Sequence, residues 1–96
     1  MSQENPLLLD VVTPEGTAFS GEISMLVAPG SEGELGILKG HIPLVAKLKN
    51  GVLRAKINGA EEKKMEIAGG FMEVKANKII VLTDLKADGT AAESWF

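Results

Sequence analysis

A period of two runs through this chain wherever its apolar residues can be followed. Leu53, Ala55 and Ile57 alternate with Arg54 and Lys56, and Met65 and Ile67 alternate with Lys64 and Glu66. Successive side chains of a strand point to opposite faces, so such alternation buries one face and leaves the other in water. Shorter apolar and β-branched runs occupy residues 7–12, 23–28, 42–46, 71–74 and 79–83. Turn signals stand between them: Thr13-Pro14-Glu15-Gly16, Ser20-Gly21, Pro29-Gly30, Asn50-Gly51, Asn58-Gly59, Gly69-Gly70 and Ala76-Asn77. Asn-Gly between alternating apolar residues is a hairpin cue, and it occurs twice. Between residues 7 and 85 no stretch is periodic and long enough to predict a helix. The predicted fold is all-β: a two-sheet, mostly antiparallel β-sandwich of about ten short strands.

A length of 96 residues predicts one domain. The alternation places it over residues 7–85, with a flexible N-terminus over 1–6 and a C-terminal tail over 86–96. In the tail, Ala91-Ala92-Glu93 is a candidate helical turn, cut off by Asp88-Gly89. Trp95-Phe96 is read as folding back on the sheet or meeting a partner. The net charge is −3, with Lys and Arg scattered rather than striped, which argues against nucleic acid. There is no cysteine, so disulfides, thiol catalysis and Cys-based zinc sites are excluded. The polar N-terminus lacks the charge and apolar core of a signal peptide. No run approaches the roughly 20 apolar residues of a membrane span, so direct membrane insertion is not expected.

The densest punctuation lies in GSEGELGILKGHIPL, residues 30–44. Glycine supplies positive φ angles and proline fixes its own, so the run is read as a shaped turn, with Gly30, Gly36 and Gly40 as shaping residues. It is no P-loop: Lys39 precedes Gly40, His41 follows, and Glu32 and Glu34 would repel a phosphate. Nor is there a strand–helix context for a dinucleotide. Glu32 and Glu34 are read as an exposed turn or as an acidic contact patch, since acid–base work needs a cleft. His41 is the only histidine and cannot build a metal site alone. It is read as pinning the loop or as an interface residue. No serine lies in a Gly-x-Ser-x-Gly context. Phe19 and Phe71 lie in strand-like runs and are read as core. No catalytic, cofactor-binding or metal-binding residue is expected.

The same stretch resembles the ε-subunit of rotary F-type ATP synthases. Three further segments agree in order: Leu9-Asp10-Val11-Val12-Thr13-Pro14 with Phe19-Ser20-Gly21, then Asn50-Gly51-Val52-Leu53-Arg54, then Ala68-Gly69-Gly70-Phe71-Met72-Glu73-Val74 with Val81-Leu82-Thr83-Asp84. The resemblance implies a β-sandwich that performs no chemistry of its own. It implies a central-stalk rotor part, clamping the γ-subunit and resting on the ring of c-subunits, so that proton or sodium flow is coupled to ATP synthesis. Glu32, Gly33, Glu34 and Leu35 would then face the c-ring, with Glu34 meeting a cation such as Arg. His41, Ile42, Pro43 and Leu44 would border the γ-subunit. The implied place is the cytoplasmic face of the bacterial inner membrane, peripheral through the complex. Lys39 stands where the family usually has Pro. The family's two-helix C-terminal domain has no counterpart in these 96 residues, so the inhibitory arm and its ATP site do not carry over. A free-standing sandwich that binds a small ligand or glycan is the rival reading. It would call for an exposed aromatic platform or a polar cleft. A small enzyme would call for a nucleophile–base or metal set.

Overall fold

The computed structural model describes residues 6–58 and 61–84. Within them the alternation becomes nine strands: β1 (Leu7–Thr13), β2 (Gly16–Ile23), β3 (Met25–Gly30), β4 (Gly33–Leu38), β5 (Leu44–Leu48), β6 (Gly51–Lys56), β7 (Glu62–Ile67), β8 (Gly70–Lys75) and β9 (Lys78–Leu82). Hydrogen bonding runs β2-β1-β9-β8-β5-β3-β6-β7, with β4 on the other edge of β3. β5 and β3 share only the pair Gly30↔Leu48. There the path bends, giving one layer of β2, β1, β9, β8 and β5 and a second of β4, β3, β6 and β7. The all-β sandwich expected from the period-two pattern is the fold observed. All pairs are antiparallel except β1 with β9, which run parallel and join the first strand to the last.

The core lies between the layers, and each strand contributes on alternate positions. Leu7, Leu9 and Val11 point inward from β1, Leu26 and Ala28 from β3, Leu53 and Ala55 from β6, and Met65 and Ile67 from β7. Met72, Val74, Ile79 and Val81 join it from β8 and β9, and Ile23, Ile37 and Leu48 from β2, β4 and β5. Burial of this kind supplies the main driving force for folding.

Several turn and loop expectations are corrected. Ser20-Gly21 is not a turn but the middle of β2, where the two residues pair with Asp10 and Leu9. Gly21 is tolerated there because Phe19's ring lies over it, 3.5 Å from where a Cβ would stand. Pro29-Gly30 ends β3 rather than breaking it, and residues 33–38 form a strand. Leu35 and Ile37 keep a period of two that the glycines around them disguise, so Gly36 sits inside β4 and not in a loop. The strand expected over 42–46 starts at Leu44 instead, after a loop that ends in Pro43. Asn50-Gly51 makes no hairpin: β5 pairs with β8, and β6 with β7 and β3, so the dipeptide is a corner between layers. Asn58 does sit in a hairpin, its Oδ1 accepting from Glu61 N at 3.4 Å, while Gly59 lies outside the described residues. Ala76-Asn77 is a two-residue hairpin turn with φ of 52° and 63°, the mirror-image turn that suits strand twist. Phe71 is corrected too: it lies on the outer face of β8 at 54% exposure, because Met72 and Val74 take the inward positions. The flexible N-terminus over 1–6, save Pro6, and the tail over 86–96, with its candidate helical turn and Trp95-Phe96, fall outside the described residues.

Candidate functional site

The 30–44 stretch wraps the edge strand β4 and presents a different group of residues at each end. At the first end, Gly30↔Gly33 closes the β3–β4 hairpin over Ser31-Glu32. The two glycines serve different purposes. Gly33 has φ +132 with open space around it, so it supplies a backbone angle. A Cβ on Gly30 would come within 2.6 Å of the Gly33 carbonyl oxygen, so Gly30 permits a close approach. The tip is tied to β5: Ser31 N donates to Lys47 O at 2.8 Å, and Lys49 N to Pro29 O at 2.9 Å.

This rigid tip carries Glu32 and Glu34 into solvent. The Glu34 side chain is 69% exposed, and its Oε2 lies 3.3 Å from Arg54 Nη2 on β6. An exposed pair of this kind contributes at most about 1 kcal/mol, so Glu34 remains exchangeable toward another cation. Leu35 packs against the core from the opposite face of β4. Beside the tip opens a concavity of about 350 Å³, walled by Glu32, Gly33, Glu34 and Leu35 on one side and by Leu44, Val45, Ala46 and Lys47 of β5 on the other.

At the second end the chain turns from β4 into β5. Gly40 adopts φ +88, its N donates to Asn77 Oδ1 at 2.7 Å, and His41 N donates to Leu38 O at 3.1 Å. His41 Nδ1 lies 2.7 Å from the Ile42 carbonyl oxygen, and since a carbonyl only accepts, the ring donates from that nitrogen. Ile42 stands 73% exposed, next to exposed Pro43, while Leu44 packs against the core. The two ends are separated by the six residues of β4, about 20 Å at the usual rise.

Two residues matter here that the sequence reading did not single out for the site: Arg54, and Asn77, noted only as part of a turn. Asn77 clamps the 39–43 loop from a distant hairpin, and nothing in the spacing of the two segments signals that contact. Asn77→Gly keeps the positive φ but removes Oδ1. It is expected to lower stability by about 1 kcal/mol in urea unfolding and to speed hydrogen exchange at the Gly40 amide by several-fold. An unchanged Gly40 rate would contradict the clamp.

A third polar group lies on the outer face of β2, β1 and β9. Ser20 Oγ donates to Asp10 Oδ1 at 2.6 Å, and Lys78 Nζ lies 3.5 Å from Oδ2. The Ser20 hydrogen bond, helped by Lys78 and opposed by partial burial, holds the Asp10 carboxyl below its ordinary pKa. It is a cross-strand tie rather than a reactive site. Among the described residues no group of three or more His, Asp or Glu is placed to hold a metal ion.

Residues 6–86 match the family model described as "ATP synthase, Delta/Epsilon chain, beta-sandwich domain". The chain belongs to that family. It is 47% identical over 83 residues to an ATP synthase epsilon chain of Chlorobaculum tepidum, covering 86% of this chain and 94% of that one. It is 55% identical over 76 residues to an ATP synthase epsilon chain of Desulforamulus reducens, covering 79% of this chain but only 57% of that one. A chain in the structure of Euglena gracilis mitochondrial ATP synthase (OSCP/F1/c-ring) superposes with a TM-score of 0.78 at 22% identity, over 86% of this chain and 53% of that one. At that identity the likeness speaks for the fold. The epsilon-chain family implied by the 30–44 stretch and its three companion segments is therefore the family found.

Proposed function

We propose that the chain is a non-catalytic central-stalk subunit of a proton- or sodium-translocating ATP synthase, joining the γ-subunit to the c-subunit ring. The sandwich over residues 7–85 would do this at the cytoplasmic face of a bacterial inner membrane, held there by the complex. The observation that carries the reading is the exposure of the family's signature stretch. Its carboxylates and Ile42 stand in solvent at opposite ends of one edge strand. Such a placement serves two contacts at once.

At the tip, Glu32, Gly33, Glu34 and Leu35 form the c-ring contact. Glu34 is the working carboxylate, because a surface pair with Arg54 is easily traded for a partner's guanidinium in a more confined, charge-assisted contact. At the other end, His41, Ile42, Pro43 and Leu44 form the γ contact. Ile42 is the apolar anchor, and the bonds from Asn77 and within the loop hold it in place before the partner arrives, which limits the ordering cost of association. A stable contact of this type covers on the order of 1,000 Å² in all.

Glu34→Lys tests the tip in the assembled synthase. Reversing a partner-facing charge costs about 2 kcal/mol or more. The expected result is a several-fold drop in ions pumped per ATP hydrolysed, with the sandwich still folded. Unchanged coupling in a fully assembled enzyme would remove the tip from the c-ring contact.

A further inference from the structure

Gly36 is the glycine of the 30–44 stretch that neither its backbone nor its packing requires. Its φ is not positive, and a Cβ there would stand 3.4 Å from Met25 Cε, the free end of a flexible side chain. Gly33 and Gly40 supply positive φ angles and Gly30 a close approach, so the other three are accounted for.

What Gly36 leaves open is a lane across the outer face of the smaller layer. Register puts Gly36 of β4 opposite Val27 of β3, and Val27 opposite Arg54 of β6. Glu34 pairs with Pro29, further along β3 toward the tip. Arg54 therefore reaches Glu34 diagonally over β3, Nη2 to Oε2 at 3.3 Å, beside the space that a side chain at position 36 would crowd. Lys64 of β7 stands directly opposite Arg54 on its other side, and facing like charges repel, so the guanidinium is biased toward Glu34. The Arg54 side chain is 37% exposed and that of Glu34 69%, so the cation is the more enclosed partner. β4 pairs with β3 alone. The ion pair thus draws the Glu34 carboxylate over the sheet toward β6, away from the open edge of β4.

We propose that Arg54 is an internal competitor for the cation that Glu34 meets on the c-ring, a latch for which Gly36 makes room. The inference rests on the tip being the c-ring contact. In the free chain the carboxylate is held over β3. On the ring it leaves Arg54 for the partner's guanidinium. Affinity falls with the fraction of tips that are unlatched, and an exposed pair sets that factor at about fivefold at most. The latch keeps the tip from binding stray cations until the rest of the complex holds it against the ring.

Arg54 is the only arginine, so nitrogen NMR of the guanidinium reads the latch without ambiguity in the free chain. Glu34→Gln and Gly36→Val are each expected to speed guanidinium rotation several-fold, the second with the carboxylate intact. Both change outward positions of β4 and are expected to fold, which circular dichroism checks. Rotation unchanged in Gly36→Val would overturn the lane, and rotation unchanged in both would overturn the latch. Competition is read on the complex of this chain with its γ-subunit, binding to the purified c-ring. Arg54→Gln is expected to tighten binding by up to about fivefold at low salt. The gain is expected to vanish at about 1 M salt, where charges are screened beyond about 3 Å, and to be absent when Glu34→Gln is also present. Weaker binding of Arg54→Gln would overturn the proposal, since Arg54 would then orient Glu34 for the ring. Binding unchanged by Arg54→Gln but weakened by Glu34→Gln overturns the competition alone. Binding unchanged by either variant overturns the c-ring assignment of the tip as well.

Discussion

Gly70→Ala is expected to lower the stability of the sandwich by about 4 kcal/mol, while Gly33→Ala costs only about 1–2 kcal/mol. Both glycines have φ near +130, at +128 and +132, so backbone strain is common to the two. Their surroundings differ. A Cβ on Gly70 would collide with the carbonyl oxygen of Leu82, the last residue of the adjoining strand β9, and stand 2.9 Å from Cα of Thr83 just after it, both backbone atoms. Nothing lies within 4 Å of the same position on Gly33. Backbone of a paired strand has nowhere to go without breaking the ladder, so the Gly70 variant carries an overpacking cost in addition to strain. For a domain of this size the difference is worth roughly 10–20 °C in melting temperature, readable by circular dichroism. Equal costs for the two variants would mean that β8 and β9 do not approach at Gly70 as described.

Leu26→Ala is expected to cost about 3–5 kcal/mol, with little change in the denaturant m-value. Leu26 is fully buried at the centre of the smaller layer, flanked by Ile37 of β4 and Ala55 of β6. Its removal leaves a cavity that rigid paired strands on both sides fill poorly. Native domains hold only about 5–15 kcal/mol in total, so this variant loses a large share of its stability. Val45→Ala is the control. Val45 is 71% exposed on β5 and its truncation is expected to stay within about 0.5 kcal/mol. A small Leu26 effect would contradict the assignment of β3 as an inner strand of its layer, between β4 and β6.

The all-β class was legible because alternation survives wherever charged residues separate the apolar ones, as from Leu53 to Ile57 and at Met65 and Ile67. It was hidden where glycine fills the outward positions. In β4, Gly36 carries no side chain to mark the solvent face, and the strand read as a loop. The Asn50-Gly51 corner misled for a different reason. A turn dipeptide specifies a local reversal but not whether the flanking strands pair with each other, and here long-range pairing sends them to different layers. Phe71 read as core because residue type alone does not say which face of a strand it occupies. The candidate site was legible as a motif, while its supports were not. Asn77 reaches Gly40 across 37 positions and Arg54 reaches Glu34 across 20. Such contacts exist only once the strands are in register.

The central claim is tested most directly by mixing this chain with the γ-subunit of its own organism's ATP synthase and measuring their elution on a sizing column. The stalk reading predicts a stable one-to-one complex that Ile42→Glu weakens and Val52→Glu does not. Separate elution of the two proteins, each shown to be folded, would contradict it.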